Sequence, residues 1–228
     1  MTVELLKRVD STNNYVQKYI KRRQNAIICA EEQTAGAGTK GRSFISSVGG
    51  IYMTKLKFYE FLPCEKAFTV MVNSAMAVVA TLAAFDITAG IKWPNDVIVN
   101  GKKICGILIK NALQGDLVDY SVIGIGLNVN NEISSEIRDI ATSVSLVLGK
   151  EVDKESVFFT LMQNLEQEYD ISQYKKYSLL LGKKVTILRG ENTFEAQVLD
   201  VLEDGRLLLT NGEALSAGEI DLKILADL

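Results

Sequence analysis

The sequence contains no histidine, and this absence excludes several kinds of active site together. A Ser-His-Asp triad, a Cys-His pair, an imidazole metal site and a histidine general base all require that side chain. Proton transfer and the stabilisation of developing charge must therefore come from lysine, arginine, carboxylates or the backbone.

Cysteine is also scarce: the chain has three, Cys29, Cys64 and Cys105, and no two of them form a Cys-x-x-Cys pair. A structural zinc site is built on such pairs, so zinc is not expected. Cys29 and Cys105 lie in apolar runs and are interpreted as small core residues. An odd number of cysteines without a signal peptide is typical of a reducing compartment, and we expect a cytoplasmic protein.

The chain lacks an excess of positive charge, since its formal net charge is −3. Binding to nucleic acid regardless of sequence needs a broad basic surface, so no nucleic-acid partner is expected. Residues 67–85 carry no charge and approach the length of a membrane span. They are rich in alanine and include Thr69, Asn73, Ser74 and Thr81. This composition favours a buried helix packed on a sheet over a segment in a membrane.

The most informative stretch lies between residues 90 and 110. Two apolar runs, 97–99 and 104–109, flank Asn100-Gly101. This pair predicts an antiparallel hairpin, because both residues tolerate the positive φ of a tight primed turn. Lys92, Asp96 and Lys103 stand close to the hairpin. Exposure to solvent or an anionic ligand would each explain that concentration of charge.

A glycine-rich segment, 36–43, matches Gly-x-Gly-x-x-Gly and differs from a P-loop because Arg42 stands where the lysine belongs. Both fingerprints require a helix to begin at the loop. Residues 46–50 instead lead into a strand-like run, so neither fingerprint is accepted. Two interpretations stay open: a bare surface loop, or a flexible loop in which Lys40 and Arg42 close over an anion.

The order of elements predicts an α+β fold followed by a small all-β domain. Strands are predicted at 26–30, 50–58 and 120–129, and helices after residue 10 and at 67–85, 137–148 and 154–177. From about residue 179, short strand-like runs alternate with turn signals, which is typical of an SH3-like β-barrel. We therefore divide the chain into a catalytic or binding domain, 1–178, and a barrel domain, 179–228.

Several short motifs occur together along the chain. They are Ser11-Thr12, Gln33-Thr34-Ala35-Gly36, the glycine loop, Lys-Trp-Pro-Asn-Asp at 92–96, Lys-Ile-Cys-Gly-Ile-Leu at 103–108, Gly-Ile-Gly-Leu-Asn-Val-Asn at 124–130 and Gly-Glu-Ile at 218–220. In this combination the chain resembles the biotin–protein ligases. The resemblance implies a class II synthetase-like catalytic domain, with helices on a mixed or antiparallel sheet, before the SH3-like domain. Because the chain begins close to that catalytic domain, we expect the short class without an N-terminal DNA-binding domain.

The resemblance implies an ATP-dependent ligase that forms biotinyl-AMP and transfers biotin to a lysine of a biotin carboxyl carrier domain. Joining a carboxylate to a polyanion requires positive charge, here from lysines and Mg²⁺. The residues implied in catalysis are Lys103, Lys92 and Asp96, and Asp96 would also help to hold the metal. Those implied in binding biotin are Ser11, Thr12, Gln33, Gly36, Lys103 and Gly106. Those implied in binding the nucleotide are Gly38, Thr39, Lys40, Gly41, Arg42, Phe44, Asn95 and Asn128.

The chain departs from the family in the glycine loop, where the usual Gly-Arg-Gly-Arg reads Gly36-Ala37-Gly38-Thr39. Two positive charges are missing, each worth about 1–3 kcal/mol as a charge-assisted contact. Weaker retention of biotinyl-AMP, compensation by Lys40 and Arg42, and an altered substrate are three competing explanations. We favour partial compensation with some leakage.

Two other functions compete with a biotin ligase. The first is a ligase or transferase of lipoate or octanoate, in which Cys105 would form a thioester two residues from Lys103. The apolar strand around this cysteine argues against that role. The second is a non-catalytic sensor of biotin or its adenylate. A homodimer, formed through strand 50–58 or through the terminal domain, is also left open.

Overall fold

The computed structural model describes residues 1–189, 192–217 and 221–224, which form two sheets and the helices packed on them. The strands are β1 (Thr2–Val9), β2 (Ala26–Gln33), β3 (Ile51–Phe58), β4 (Gly90–Lys92), β5 (Asp96–Val99), β6 (Lys102–Gln114), β7 (Leu117–Leu127), β8 (Lys184–Arg189), β9 (Asn192–Val201), β10 (Leu207–Leu209), β11 (Ala214–Leu215) and β12 (Asp221–Ile224). The helices are α1 (Thr12–Tyr15), α2 (Gln17–Ile20), α3 (Phe68–Ala83), α4 (Val144–Leu148), α5 (Lys154–Asn164) and α6 (Ile171–Lys176).

The larger sheet has seven strands in the order β1-β2-β3-β7-β6-β5-β4. β1 and β2 run parallel, and the other neighbours are antiparallel. This is the mixed α+β sheet expected from the sequence. β3 lies inside the sheet and is hydrogen-bonded to β2 on one side and to β7 on the other. Its backbone groups are therefore used, and a homodimer cannot extend the sheet through residues 50–58.

The charge-free segment 67–85 forms a helix in the core, as predicted. Most of α3 is buried, including Val72, Ala75, Val79 and Leu82, and it packs against β5 and β6. By length and composition alone, Cys64–Ala83 could cross a membrane. Its burial within the protein explains that apolar character without a membrane.

β5 and β6 form the predicted hairpin. Asn100 and Gly101 join them with φ values of 49° and 76°, the positive values that a primed turn requires. The register places Ile98 opposite Lys103 and Val99 opposite Lys102. β1 and β4 were not predicted from the sequence, because an exposed edge strand and a strand of three residues give little periodic signal.

Two helix predictions are wrong in extent. Within 137–148 only α4 is helical, because the preceding residues bind the backbone of Lys103. The Lys103 N–H donates to the Ile140 carbonyl at 2.8 Å, and the Lys103 carbonyl accepts from the Thr142 N–H at 2.9 Å. The segment 154–177 forms α5 and α6, interrupted where the Tyr169 N–H donates to the Asn73 side chain at 2.8 Å. These contacts come from residues distant in sequence, which local periodicity does not report.

The second sheet contains five strands in the order β11-β10-β9-β8-β12, and its described pairs are antiparallel. It agrees with the small all-β unit expected after residue 179. The predicted closing motif, Gly218-Glu219-Ile220, lies outside the described residues, as do positions 190 and 191 of a predicted turn. The division of the chain at residue 178 stays a prediction; α6 ends before it and β8 begins after it.

Candidate active site

The parallel pairing of β1 and β2 brings the first polar groups of the site together. Val9 lies opposite Gln33, so the start of α1 stands beside the end of β2. The N–H and the hydroxyl of Thr12 donate to Gln33 Oε1 at 2.9 and 3.0 Å. The buried Thr54 hydroxyl on β3 lies 2.8 Å from Thr12 Oγ1, and Ser11 is also buried. These groups form the polar end of a narrow cavity.

The glycine loop is attached to this polar end through Ser46. Gln33 Nε2 donates to Ser46 Oγ, and Ser46 Oγ donates to the Phe44 carbonyl, both at 2.9 Å. The Phe44 N–H donates to the Gly36 carbonyl at 2.8 Å. A Cβ at Gly36 would collide with the Phe44 carbonyl and lie 2.6 Å from Ser46 Oγ. Gly36 therefore lets the loop fold closely over Gln33, without itself lining the cavity.

The loop beyond Gly36 is closed on itself. The Gly38 N–H donates to the Arg42 carbonyl at 2.7 Å, and an antiparallel bridge joins Ala37 to Ser43. Lys40 occupies the exposed tip with a φ of 55°. The loop is thus a small hairpin that contacts the rest of the site at Phe44. From the sequence alone, both a bare surface loop and a flexible loop were possible here.

Lys103 is held by Asp96 across the β5–β6 hairpin, with Lys103 Nζ 2.7 Å from Asp96 Oδ1. The side chains are 34% and 27% exposed, so solvent only partly screens the pair. Asn95 Nδ2 donates to the same Asp96 oxygen at 3.2 Å and to the Ile107 carbonyl at 2.9 Å. The ammonium, the carboxylate and the amide are therefore fixed relative to one another by the hairpin.

Three glycines on β6 and β7 form the floor beside Lys103. Gly106 and Gly126 face each other across the two strands. The Phe44 ring lies on them: a Cβ at Gly126 would be 2.6 Å from that ring, and a Cβ at Gly106 would be 2.9 Å from Lys103 Nζ. A Cβ at Gly124 would lie 2.9 Å from the Asn13 amide. Any larger residue at these positions would fill the cavity.

The predicted residues line two connected spaces. The narrow cavity is lined by Ser11, Thr12, Gln33, Gly38, Thr39, Phe44, Asn95, Lys103 and Gly106. A wider groove is lined by Gly38, Thr39, Arg42, Phe44, Lys92, Asp96, Lys103 and Asn128. Four residues line both spaces and stand at the junction between them: Gly38, Thr39, Phe44 and Lys103. Lys40 and Gly41 line neither space.

The charged side chains that line the wider groove are mainly basic. Its lining includes four cationic side chains, Arg42, Lys92, Lys103 and Lys176, and two acidic ones, Asp96 and Glu132. An excess of positive over negative side chains in a groove favours ligands of negative charge. This space is suited to a polyanion.

Asn128 lines the wider groove and also forms hydrogen bonds that support the backbone around Lys103. It is 6% exposed, donates to the Thr142 carbonyl at 3.0 Å and accepts from Asn131 Nδ2 at 3.1 Å. Thr142 is the residue whose N–H binds the Lys103 carbonyl. Asn128 therefore holds the segment that fixes the backbone of Lys103.

A metal ion would find one carboxylate at the junction, that of Asp96. The described residues contain no group of three or more Cys, Asp or Glu side chains with the geometry of a metal site. Lys103 and Asn95 both contact Oδ1 of Asp96, and among the described residues none forms a hydrogen bond or ion pair with Oδ2. Mg²⁺ commonly binds one or two carboxylates and completes its shell with phosphates and water. Asp96 thus fits a Mg²⁺ ion that arrives with a polyphosphate.

Cys105 is buried completely beneath the site. Burial raises the pKa of its thiol far above the usual range, although the nearby Lys103 acts in the opposite direction. A thiol that stays protonated and lies in the core is a poor nucleophile. This observation weighs against a thioester at Cys105.

Some residues of the site were missed by the sequence analysis, namely Asn13, Ser46 and Thr54, and the floor glycines Gly124 and Gly126 were noted without a ligand role. The glycines had a usable signal, because glycine inside a strand indicates a close approach. Thr54 and Ser46 carry none, since they act through Thr12 and Gln33, far away in sequence.

Comparison with known proteins agrees with this geometry. Residues 5–128 match the Biotin/lipoate A/B protein ligase family. A biotin protein ligase from Aquifex aeolicus in complex with biotin and ATP superposes with a TM-score of 0.77 and 27% sequence identity, covering 98% of this chain and 99% of that one.

Curated relatives agree with the structural neighbour. The Mycobacterium tuberculosis biotin--[acetyl-CoA-carboxylase] ligase is 30% identical over 85% of this chain and 77% of that protein. The Bacillus subtilis bifunctional ligase/repressor BirA is 32% identical over 84% of this chain, which spans 63% of that relative's length. The resemblance expected from the motifs is confirmed, and the chain belongs to the biotin/lipoate A/B protein ligase family.

Proposed function

We propose that this protein is an ATP-dependent biotin–protein ligase, which activates biotin as biotinyl-AMP and transfers it to a lysine of a biotin carboxyl carrier domain. The observation that carries the proposal is the position of Lys103. Its ammonium stands where a narrow cavity with a polar end opens into a basic groove. Structural neighbours with biotin and ATP, and relatives named as biotin ligases, support the same function.

The narrow cavity would take biotin, with its ureido ring at the polar end. A ureido group offers two N–H donors and one carbonyl acceptor, which suit the hydroxyl of Ser11, the Thr12 and Gln33 pair and the Asn13 amide. The valeryl chain would then run over Gly106 and Gly126 and bring the carboxylate to Lys103, which requires the Phe44 ring that lies on these glycines to move aside. An octanoyl chain would leave the buried polar groups unmatched, which is costly. This favours biotin over octanoate or lipoate.

The wider groove would take ATP. In the first step a carboxylate oxygen of biotin attacks the α-phosphorus, the bond to the bridging oxygen breaks, and pyrophosphate leaves. Lys103 and Lys92 offset the charge that accumulates between carboxylate and phosphates, in a site where water screens it only partly. Asp96 would hold Mg²⁺, which neutralises phosphate charge when bound. Gly38, Thr39, Arg42, Phe44, Asn95 and Asn128 would surround the nucleotide.

In the second step the neutral amine of the acceptor lysine attacks the acyl carbon, the acyl–oxygen bond breaks, and AMP leaves with that bonding pair. The attacking nitrogen loses one of its two protons and keeps the other as the amide N–H, and since the chain has no histidine, the released proton goes to AMP, a carboxylate or solvent. We place the reaction in the cytoplasm, which agrees with three cysteines that are all free.

The direct test is to incubate the protein with ATP, Mg²⁺, biotin and a biotin carrier domain and to measure the mass of the carrier. We expect one added biotinyl group, dependent on ATP and lost in Lys103→Ala. Transfer that does not need ATP would instead identify a transferase. Biotin binding without release of pyrophosphate would identify a sensor.

A further inference from the structure

The turn between β4 and β5 is flanked by Lys92 and Asp96, which we call the phosphate-side residues. Residues from the second half of the chain are hydrogen-bonded to this turn. Residues 93–95 connect β4 to β5, and Lys92 lies opposite Asp96 at the base of this turn. Both charged residues line the wider groove. A displacement of the turn therefore moves Lys92 and Asp96 directly, and Lys103 through its ion pair with Asp96.

Four hydrogen bonds hold this turn and the adjoining strand β4. The Trp93 indole N–H donates to the Gly205 carbonyl at 2.9 Å, and the Tyr174 hydroxyl donates to the Pro94 carbonyl at 2.9 Å. The Ile91 N–H donates to the Tyr177 carbonyl at 2.7 Å, and the Ile91 carbonyl accepts from Leu179 N–H at 2.9 Å. All four partners lie beyond residue 128, where the match to the family ends.

The contact at Gly205 is built tightly. Gly205 has a φ of 86° in the turn between β9 and β10, a conformation that favours glycine. The turn is closed by the Leu202 N–H, which donates to the Arg206 carbonyl at 2.8 Å. A Cβ at Gly205 would collide with the ring of Phe68 on α3. The carbonyl is thus held at one position facing Trp93, which is 5% exposed.

We propose that the β9–β10 turn of the C-terminal sheet positions the phosphate-side residues of the active site, and that Trp93 is the residue through which it acts. This inference rests on the proposed function for its kinetic consequence, and gives the C-terminal sheet a role in adenylation. Trp93 touches no reacting group; it is a positioning residue. Displacements of about 1 Å can lower a reaction rate by up to about 100-fold. Loss of a single hydrogen bond at this turn can therefore lower the rate of adenylation measurably.

The test is Trp93→Phe, which keeps an aromatic ring and removes the donor to Gly205. We expect the kcat of biotin-dependent ATP–pyrophosphate exchange to fall about tenfold and the KM for ATP to rise. The KM for biotin should change less than about threefold, because the polar end at Thr12 and Gln33 lies on the other side of Lys103. Gly205→Ala, made in the other sheet, should give the same pattern.

A matched control separates positioning from general destabilisation. Val198→Ala removes a fully buried side chain from the C-terminal sheet and leaves the Trp93–Gly205 bond in place. We expect it to lower the melting temperature as much as Trp93→Phe or more, with kcat nearly unchanged. Equal losses of kcat in the two variants, or a kcat within about twofold of wild type in Trp93→Phe, would overturn the inference.

Amide hydrogen exchange gives a readout that does not depend on activity. The peptide covering 90–99 should exchange about tenfold faster in Trp93→Phe and in Gly205→Ala than in wild type, and at the wild-type rate in Val198→Ala. If the wild-type protein shows no biotin-dependent exchange of pyrophosphate, the proposed function fails. The positioning role is then still decided by this peptide, and unchanged protection in Trp93→Phe would refute it.

Discussion

Replacing Lys103 with methionine tests the centre of the proposed site, because it removes the charge and keeps most of the side chain. Two unit charges 4 Å apart attract by about 4 kcal/mol at an effective dielectric constant near 20. A third of the Lys103 side chain is exposed, at 34%, and solvent screening reduces this to about 2–3 kcal/mol. We therefore expect adenylation to slow about 30- to 150-fold. The loss also leaves Asp96 as an uncompensated negative charge beside the phosphates, which favours the upper end.

Biotin-dependent ATP–pyrophosphate exchange measures this step without a carrier domain. Lys102→Met is the matched control, since Lys102 is the neighbouring residue on β6 and its Nζ donates to the Arg138 carbonyl at 2.7 Å. Lys102 lines neither space. We expect the control to stay within about twofold of wild type. A loss below about tenfold in Lys103→Met, roughly 1.4 kcal/mol of barrier, would show that the chemistry lies elsewhere.

Three further changes test neighbouring parts of the site. Thr39→Arg restores one loop charge and should slow dissociation of biotinyl-AMP about fivefold or more, because one charge-assisted contact contributes about 1–3 kcal/mol. The measurement is the rate at which labelled adenylate is released. Equal rates in the variant and the wild type would refute leakage. Gly126→Ala places a Cβ 2.6 Å from the Phe44 ring, and calorimetry should show biotin affinity falling about tenfold. Unchanged affinity would remove Gly126 from the cavity floor. Cys105→Ser should keep ATP-dependent transfer, since burial keeps this thiol protonated. If the variant loses transfer and the wild-type protein transfers its acyl group without ATP, a transferase is favoured instead.

The parts of the fold that could be predicted are those with local causes. The β5–β6 hairpin follows from Asn100-Gly101, whose positive φ values are found in the structure. α3 follows from a long apolar segment that only a core can bury. Both features need information from within about 20 residues.

The parts that could not be predicted have distant causes. The segment 137–142 has helical periodicity, but Ile140 and Thr142 bind the backbone of Lys103 instead. β3 is a strand as predicted, but its Lys55 is only 8% exposed, where a charged side chain on a strand is expected in solvent, and its ammonium pairs with Glu166 at 2.8 Å. In each case a tertiary contact overrides the local pattern.

The candidate site also contains residues that could be predicted from local motifs and residues whose roles depend on distant contacts. The motifs named most residues that line the narrow cavity, but fewer than half of those that line the wider groove. Spacing alone did not distinguish residues that line the cavities from those that support them. Gly36 shapes the loop over Gln33 without lining either space, and Asn128 both lines the wider groove and secures the segment around Lys103. Such supporting roles depend on which atoms meet in three dimensions.

We expect Ala37 and Thr39, which stand where the family usually has arginines, to increase the dependence on Lys103, because few other positive charges line the wider groove. Of the two residues expected to compensate, Arg42 lines the groove and Lys40 lies outside it. The loop therefore supplies one positive charge to the groove, where the two arginines of the family's usual motif would supply two. Lys103 itself is paired with Asp96 at 2.7 Å, and much of its charge is neutralised while that pair persists. A cation that binds Asp96 would weaken this pair and free the ammonium for the carboxylate. In the proposed mechanism, the ion pair would therefore link the availability of the Lys103 charge to the arrival of the nucleotide and its metal.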